Sequence, residues 1–378
     1  MREIYLDNSA TTKTCAKAAE KALEIMTEKY GNPSSLHSKG LEAQHELEKV
    51  RKLCADMLSA EKEEIYFTSG GTEGNNTAVF GAASAMKRRG NKIVTSSIEH
   101  SSILEAMKQL EKEGFEVVYL SPKANGKIDI EDLKNTIDRH TILVSIMAVN
   151  NEIGSVNPVE KIKNIIEKNH SPALFHIDAV QMFGKMPIKA KKLGADMITA
   201  SSHKIHGPKG AGLLYIKKGT RVIPLHYGGE QEKKIRPGTE CLPALCGMGA
   251  AIEELPDMSE EWEIISSLNK YCRSQLMQIE NICINSSEDC LPYILNFSVK
   301  GIRSETMLHF LADKGIYVSS GSACAKGKKS HVLTAMGFDN VVADSALRVS
   351  FSRYNSYEDV DELVNALTKA NNTLARIK

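Results

Sequence analysis

Several segments carry small, polar or nucleophilic residues directly after short apolar runs, and each offers a different piece of chemistry. The run Ile65-Tyr66-Phe67-Thr68 leads into Ser69-Gly70-Gly71-Thr72-Glu73-Gly74-Asn75-Asn76. Small residues at a strand-to-helix turn let backbone amides approach an anion, and the helix N-terminus favours negative charge. A phosphate cradle is one expectation; turns of this composition also serve as plain tight connections. The segment is neither GxGxxG nor a P-loop, so a dinucleotide or nucleoside triphosphate is not indicated.

The run Leu174 to Ile177 delivers Asp178, followed by Ala179-Val180-Gln181. An acid at a buried strand terminus must be paired, because isolated charge there is costly. A protonated pyridine nitrogen would satisfy it, and a helix N-cap role fits equally. The next run ends in Ser201-Ser202-His203-Lys204-Ile205-His206-Gly207-Pro208. A lysine between a buried strand and a rigid Gly-Pro turn is held in place, and such an amine can form a Schiff base with a carbonyl cofactor. Thr95 to Glu99 delivers His100 at another strand tip, suited to a structural role or to stacking on a cofactor ring. Anion cradle, acid, amine and imidazole at four strand ends together meet the needs of one cofactor, pyridoxal 5'-phosphate.

The elements that position these residues are legible as a repeat. Strand-like runs at 64–68, 92–95, 141–148, 173–177, 196–199 and 212–216 alternate with periodic stretches such as 101–112 and 129–138, and a helix is expected through Ala78 to Arg88. This is the βα pattern of a largely parallel sheet covered on both faces, at whose carboxyl edge ligands gather. Leu255-Pro256-Asp257 breaks the chain. Beyond it a polar helix, β-like runs at 293–299, 316–319 and 347–351, and a terminal helix from Glu358 to about Ile377 predict a smaller α+β domain. The expected division is a large domain over 14–255 and a small one formed by 1–13 and 256–378.

With 378 residues, 42% hydrophobic and 25% charged, the chain has ordinary globular composition and room for two domains sharing a cleft. A net charge of +1 gives no global pull toward nucleic acid or an anionic membrane. The opening MREIYLDNSATT lacks the basic-then-apolar pattern of an export signal, and no stretch is long enough to span a bilayer. A cytoplasmic location is expected. The eight cysteines, at 15, 54, 241, 246, 272, 283, 290 and 324, form no CxxC pair and no zinc-finger spacing. Most are expected to be free thiols acting as small buried hydrophobes.

In order along nearly the whole chain, YLDNSATT, GNPSS, TSGGTEGNN, IEHSSI, VNNEIG, HIDAVQ, SSHKIHGPKG, RPGTE, SSGSAC and LRVSFSRY resemble the motifs of cysteine desulfurases of the NifS/IscS type. These are class V members of the fold-type I pyridoxal-phosphate enzymes. The resemblance implies a mainly parallel seven-stranded sheet between helices, a smaller α+β domain, and a homodimer with shared active sites. By position, it makes Lys204 the lysine that bonds the cofactor, His100 the stacking, proton-moving ring, and Asp178 the partner of the pyridinium nitrogen. Gln181 and Asn151 would contact the phenolic oxygen region or position substrate. Gly71, Thr72, Ser201 and His203 fall at cofactor-binding positions, and Thr239 at one that reaches the phosphate from the neighbouring subunit. Arg348 would clamp the substrate carboxylate, a task suited to a planar guanidinium, with Asn32 assisting.

Cys324 lies in Ser319-Ser320-Gly321-Ser322-Ala323-Cys324-Ala325-Lys326-Gly327-Lys328-Lys329. That small, polar stretch cannot bury a thiol well, and the lysines favour thiolate, the reactive form. The resemblance makes Cys324 the acceptor of sulfur from free L-cysteine. L-Alanine and a cysteine persulfide would be the products, and a protein acceptor for iron–sulfur cluster assembly or for tRNA or cofactor thiolation would take the sulfur onward. Selenocysteine lyase and cysteine sulfinate desulfinase share the cofactor machinery and are the alternative. No metal and no direct nucleic-acid contact are expected.

Overall fold

The computed structural model describes residues 2–320 and 330–376. Twelve strands occur among them: β1 (Ile4–Tyr5), β2 (Ile65–Thr68), β3 (Lys92–Ser96), β4 (Glu116–Leu120), β5 (Thr141–Met147), β6 (Leu174–Asp178), β7 (Met197–Ser201), β8 (Gly212–Ile216), β9 (Ile282–Ile284), β10 (Ile294–Val299), β11 (Ile316–Tyr317) and β12 (Ala346–Ser350). Seven of them make the expected sheet, in the order β2-β8-β7-β6-β5-β3-β4. Only β8 runs against its neighbours; β2, antiparallel to β8, therefore points with the parallel strands. Thr68, Ser96, Asp178 and Ser201 all finish on one edge as a result. Every residue of β5, β7 and β8 is buried, as continuous apolar runs covered on both faces must be. β4 is the strand that the six runs leave out. It sits at the sheet edge, with Glu116 exposed and the middle residues half-buried, so its pattern is weak.

Helices in the first part of the chain are α1 (Ala16–Thr27), α2 (Ser38–Leu58), α3 (Gly71–Met86), α4 (Ser101–Lys112), α5 (Ile130–Thr136), α6 (Ile162–Lys168), α7 (Ala190–Leu193) and α8 (Leu242–Glu253). The expected start at Ala78 is corrected by α3, which begins seven residues earlier, at Gly71. Gly, Thr, Gly and Asn are poor helix formers, but packing of α3 across the sheet overrides that preference: Gly74 lies so close to Thr199 that a Cβ would come within 2.7 Å of its methyl.

Asp257 caps the next helix, α9 (Met258–Leu276), accepting the Ser259 and Glu260 amides at 2.8 and 3.2 Å. Then come α10 (Ser304–Ala312), α11 (His331–Ala335), α12 (Asn340–Asp344) and α13 (Tyr357–Thr373), the last stopping short of Ile377. Of the three β-like runs, β10 and β12 pair antiparallel and the short β9 joins them. The third run, β11, instead pairs in parallel with β1. The bridge Asp7 to Ser350 extends that tie between chain start and chain end. Of the seven described cysteines, five are buried as expected, but Cys241 is exposed and Cys283 partly so. No helix among the described residues is long and apolar enough to cross a membrane.

Candidate active site

At the carboxyl edge of the large sheet lies a cavity of about 240 Å³, and Gly71, Thr72, His100, Asn151, Asp178, Gln181, Ser201, His203, Lys204 and Arg348 all line it. Strand ends and the turns after them bring these residues together.

One wall is the start of α3. Gly70 has φ 154° and ψ −175°, a region almost confined to glycine. It has no side chain with which to cap the helix, so the first-turn amides face the cavity without an internal partner. A Cβ on Gly71 would come within 2.8 Å of Val180 Cγ2, and one on Gly212 within 2.7 Å of Gly70 Cα; only glycines let this turn sit so low on the sheet. Beside it the Ser201 hydroxyl is buried and has no hydrogen-bond partner. Free amides at a helix N-terminus and an unused hydroxyl form a binding site for an anionic, oxygen-rich group.

Asp178 stands at the tip of β6, 5% exposed. Its Oδ1 accepts the Val180 amide at 3.0 Å and its Oδ2 accepts Asn75 Nδ2 at 2.6 Å. Asn75 Nδ2 also donates to Ser102 Oγ at 2.9 Å. His100 caps α4: its Nδ1 accepts the Ser102 amide at 3.2 Å, which places the proton of the neutral ring on Nε2. Burial holds its pKa below the usual histidine value, with the Asp178 charge opposing. The acid and the imidazole are thus linked through Asn75 and Ser102.

Lys204 ends a single 3₁₀ turn, Ser202–Lys204, that follows β7. Its Nζ donates to the carbonyl of Ser9 and, at 2.7 Å, to that of Ala10. Burial, with help from the Arg348 and Lys185 charges, pulls its pKa down to about 7. At neutral pH roughly half of such an amine is uncharged, against about a thousandth or less for an ordinary lysine. The lysine is placed and charged as a nucleophile should be. His203 Nδ1 lies 3.2 Å from Thr11 Oγ1, and burial first, then Lys204, holds its ring neutral with a pKa of about 4.

Arg348, on β12 and 1% exposed, donates from one terminal nitrogen to Asn151 O at 2.9 Å and from the other to Asp7 Oδ1 at 2.6 Å. Its Nε is buried without a partner. Asn32 and Thr239 are both exposed and lie outside this chain's cavity, Asn32 accepting the Ser34 amide at 2.9 Å. Cys324 lies outside the described residues. Asn75, Ser102 and the 9–10 backbone join the site without a motif to mark them; Asn75 falls four residues after Gly71, on the same face of α3, a placement that follows only from the helix start at Gly71.

A half-buried lysine, a strand-end carboxylate, a capped imidazole and an uncapped glycine turn around one cavity define a site for pyridoxal 5'-phosphate. The free hydroxyl of Ser201 and the glycine cradle fit its phosphate, and Asp178 fits its ring nitrogen. The family model described as aminotransferase class-V matches residues 4–363. A cysteine desulfurase IscS from Methanosarcina thermophila is 42% identical over 370 residues, 97% of this chain and 91% of that protein. A solved NifS-like protein superposes with a TM-score of 0.94 at 38% identity, covering 99% of this chain and all of the other. SspA, solved in complex with cysteine, has a TM-score of 0.83 at 32% identity over 94% of this chain and all of the other. The chain belongs to the class-V aminotransferase family, among the cysteine desulfurases of NifS/IscS type. It is a pyridoxal 5'-phosphate enzyme.

Proposed function

We propose that the chain removes sulfur from L-cysteine, leaving L-alanine and a persulfide on Cys324. The observation that carries this reading is the Lys204 amine, held by the Ser9 and Ala10 carbonyls in the cavity that also contains Asp178, His100 and Arg348.

When bound, pyridoxal phosphate supplies a carbonyl that condenses with amines and a ring that draws off negative charge. Lys204 would hold it covalently, and its Nζ is the base placed to take the Cα proton of the substrate. Asp178 would face the ring nitrogen, and Asn75 Nδ2 and the Val180 amide hold its carboxylate oxygens in place. The α3 amides, Thr72, Ser201 and His203 hold the phosphate. Gln181 and Asn151 line the same cavity and would contact the phenolic oxygen or position the substrate. Arg348 binds the substrate carboxylate, its Nε being the buried donor still free for it. His100 moves a proton at the substrate sulfur through Nε2. The Cys324 thiolate attacks that sulfur: the carbon–sulfur bond breaks, a sulfur–sulfur bond forms, and the carbon left behind gains a proton to give alanine.

The working form is read as a homodimer, with Thr239 of the partner subunit reaching the phosphate and Asn32 close to the same shared site. Leu23, Met26, Tyr30, Leu36 and Leu41 on and between α1 and α2 are all more than half exposed, apolar side chains that a second subunit would cover. The division into a large domain (14–255) and a small one (1–13 and 256–378), a cytoplasmic location and a protein that accepts the sulfur complete the proposal. Lys204→Ala tests its core. The purified variant should lose the visible absorption of the covalently held cofactor; an unchanged spectrum would refute the assignment.

A further inference from the structure

A second lysine lies behind the site, and the mechanism above does not use it. Lys185 is 8% exposed, which is uncommon for this residue type. Its Nζ donates to Gln181 Oε1 at 3.2 Å and lies 5.5 Å from the centre of the Tyr293 ring. Gln181 Nε2 in turn donates at 3.0 Å to the Ser9 carbonyl, the same oxygen that accepts from Lys204 Nζ. One amide and one carbonyl therefore join the two amines. Both amines also line a second, smaller cavity together with Glu261, Tyr293 and Arg353.

We propose that Lys185 is a positioning residue for Lys204: it fixes the orientation of the Gln181 amide, and its positive charge favours the uncharged form of the Lys204 amine. The proposal rests on the reading of Lys204 as the lysine that bonds the cofactor.

The amide argument follows from donor chemistry. Lys185 has only protons to offer, so Gln181 must turn its oxygen toward it and its nitrogen toward Ser9. Without Lys185 the amide could flip, and its oxygen would then face the Ser9 carbonyl, two acceptors together. The charge argument follows from what surrounds the pair. On Lys185, burial lowers the pKa to about 8, Glu261 of α9 opposes and Arg348 of β12 adds to the lowering. It thus stays mostly protonated at neutral pH, where Lys204 is half titrated. The charge of Lys185 lowers Lys204, alongside Arg348, while Asp7 and Asp178 pull the other way. The same charge reaches His203 and His206, and both Lys185 and Arg353 lower His206 and act on Glu261. Two like charges in one enclosed region cannot both be held cheaply, and the amine with the lower pKa, Lys204, gives up its proton first.

The test reads the amine itself. Apoprotein is acylated with trace acetic anhydride across a pH series, and the Lys204 peptide is quantified by mass spectrometry. In Lys185→Met the half-point for Lys204 should move up by about one pH unit, giving about fivefold slower labelling at neutral pH. Lys185→Gln, which keeps a polar side chain, should move it likewise and carries the test if the methionine variant does not fold. Lys185→Arg should leave it close to wild type. A Lys204 curve in Lys185→Met or Lys185→Gln that overlays wild type would overturn the proposal. Borohydride reduction of wild-type holoprotein, followed by peptide mapping, separately asks whether Lys204 carries the cofactor; its failure would strike the underlying reading and not the link between the two lysines.

Discussion

Asn75 Nδ2 donates to Asp178 Oδ2 at 2.6 Å, so the helix that begins at the glycine turn also holds the carboxylate at the tip of β6. The same nitrogen reaches Ser102 Oγ at 2.9 Å, and Ser102 is where the His100 ring is capped. One side chain thus sets the spacing between three parts of the site. Asn75→Ala should weaken cofactor binding about tenfold, the worth of one hydrogen bond to a charged group. Titration of apoprotein with pyridoxal phosphate, followed by absorbance, measures this; an unchanged affinity would show that Asp178 needs no such support.

Asp178→Asn should retain cofactor, because the phosphate cradle and Lys204 are untouched. Turnover should drop by roughly 10²-fold or more, since an amide cannot stabilise a positive ring nitrogen as a carboxylate does. Steady-state alanine formation checks it, and a loss of less than threefold would contradict the role.

Arg348 makes two separate demands on measurement. Arg348→Leu should raise KM for cysteine sharply, and it should also destabilise the fold by about 3 kcal/mol, because Asp7 loses the partner 2.6 Å away. Arg348→Lys should restore part of the stability but little of the affinity, since a lysine paired with Asp7 has no second donor in the place of Nε. If the leucine variant keeps its KM, the substrate carboxylate binds elsewhere.

Glu99 gives a prediction about pH. Burial, aided by the Asp178 charge, raises its pKa to about 8. Its Oε1 accepts Ser96 Oγ at 2.6 Å and the Met147 amide at 3.0 Å. Between its ordinary value, near 4.5, and 8 the folded protein holds a proton that the unfolded chain has released. The contribution of Glu99 to stability is therefore full below that window and is lost as pH rises through it, by at most about 1.4 kcal/mol per pH unit. In Glu99→Gln the slope should be flatter than in wild type when apoprotein is unfolded with denaturant at several pH values. Parallel slopes would mean that Glu99 is ionised in the fold.

How much of this could be read from residues alone follows physical lines. Asp178, Lys204 and His100 stood out because each polar residue follows an apolar run, and a parallel sheet gathers such positions on one edge. β9 is not legible because three residues carry no period; β11 falls in the expected run at 316–319, but its pairing with β1 joins opposite ends of the chain, which no local pattern shows. α3 was placed late because its first turn is rich in glycine and asparagine, which packing against Thr199 converts into helix. Lys185 was invisible for a different reason. A buried lysine and a solvated one look the same in a sequence; only the enclosing Gln181, Tyr293 and Glu261 distinguish them.

The most direct test of the account follows the sulfur. Holoprotein is given L-cysteine without a reductant, the thiols are blocked, and peptides are mapped by mass alongside an assay for alanine. The account predicts one added sulfur atom on the Cys324 peptide, alanine formed in equal amount, and no adduct in Cys324→Ser although its cofactor spectrum is retained. Sulfur on another cysteine, or full turnover in Cys324→Ser, would contradict it.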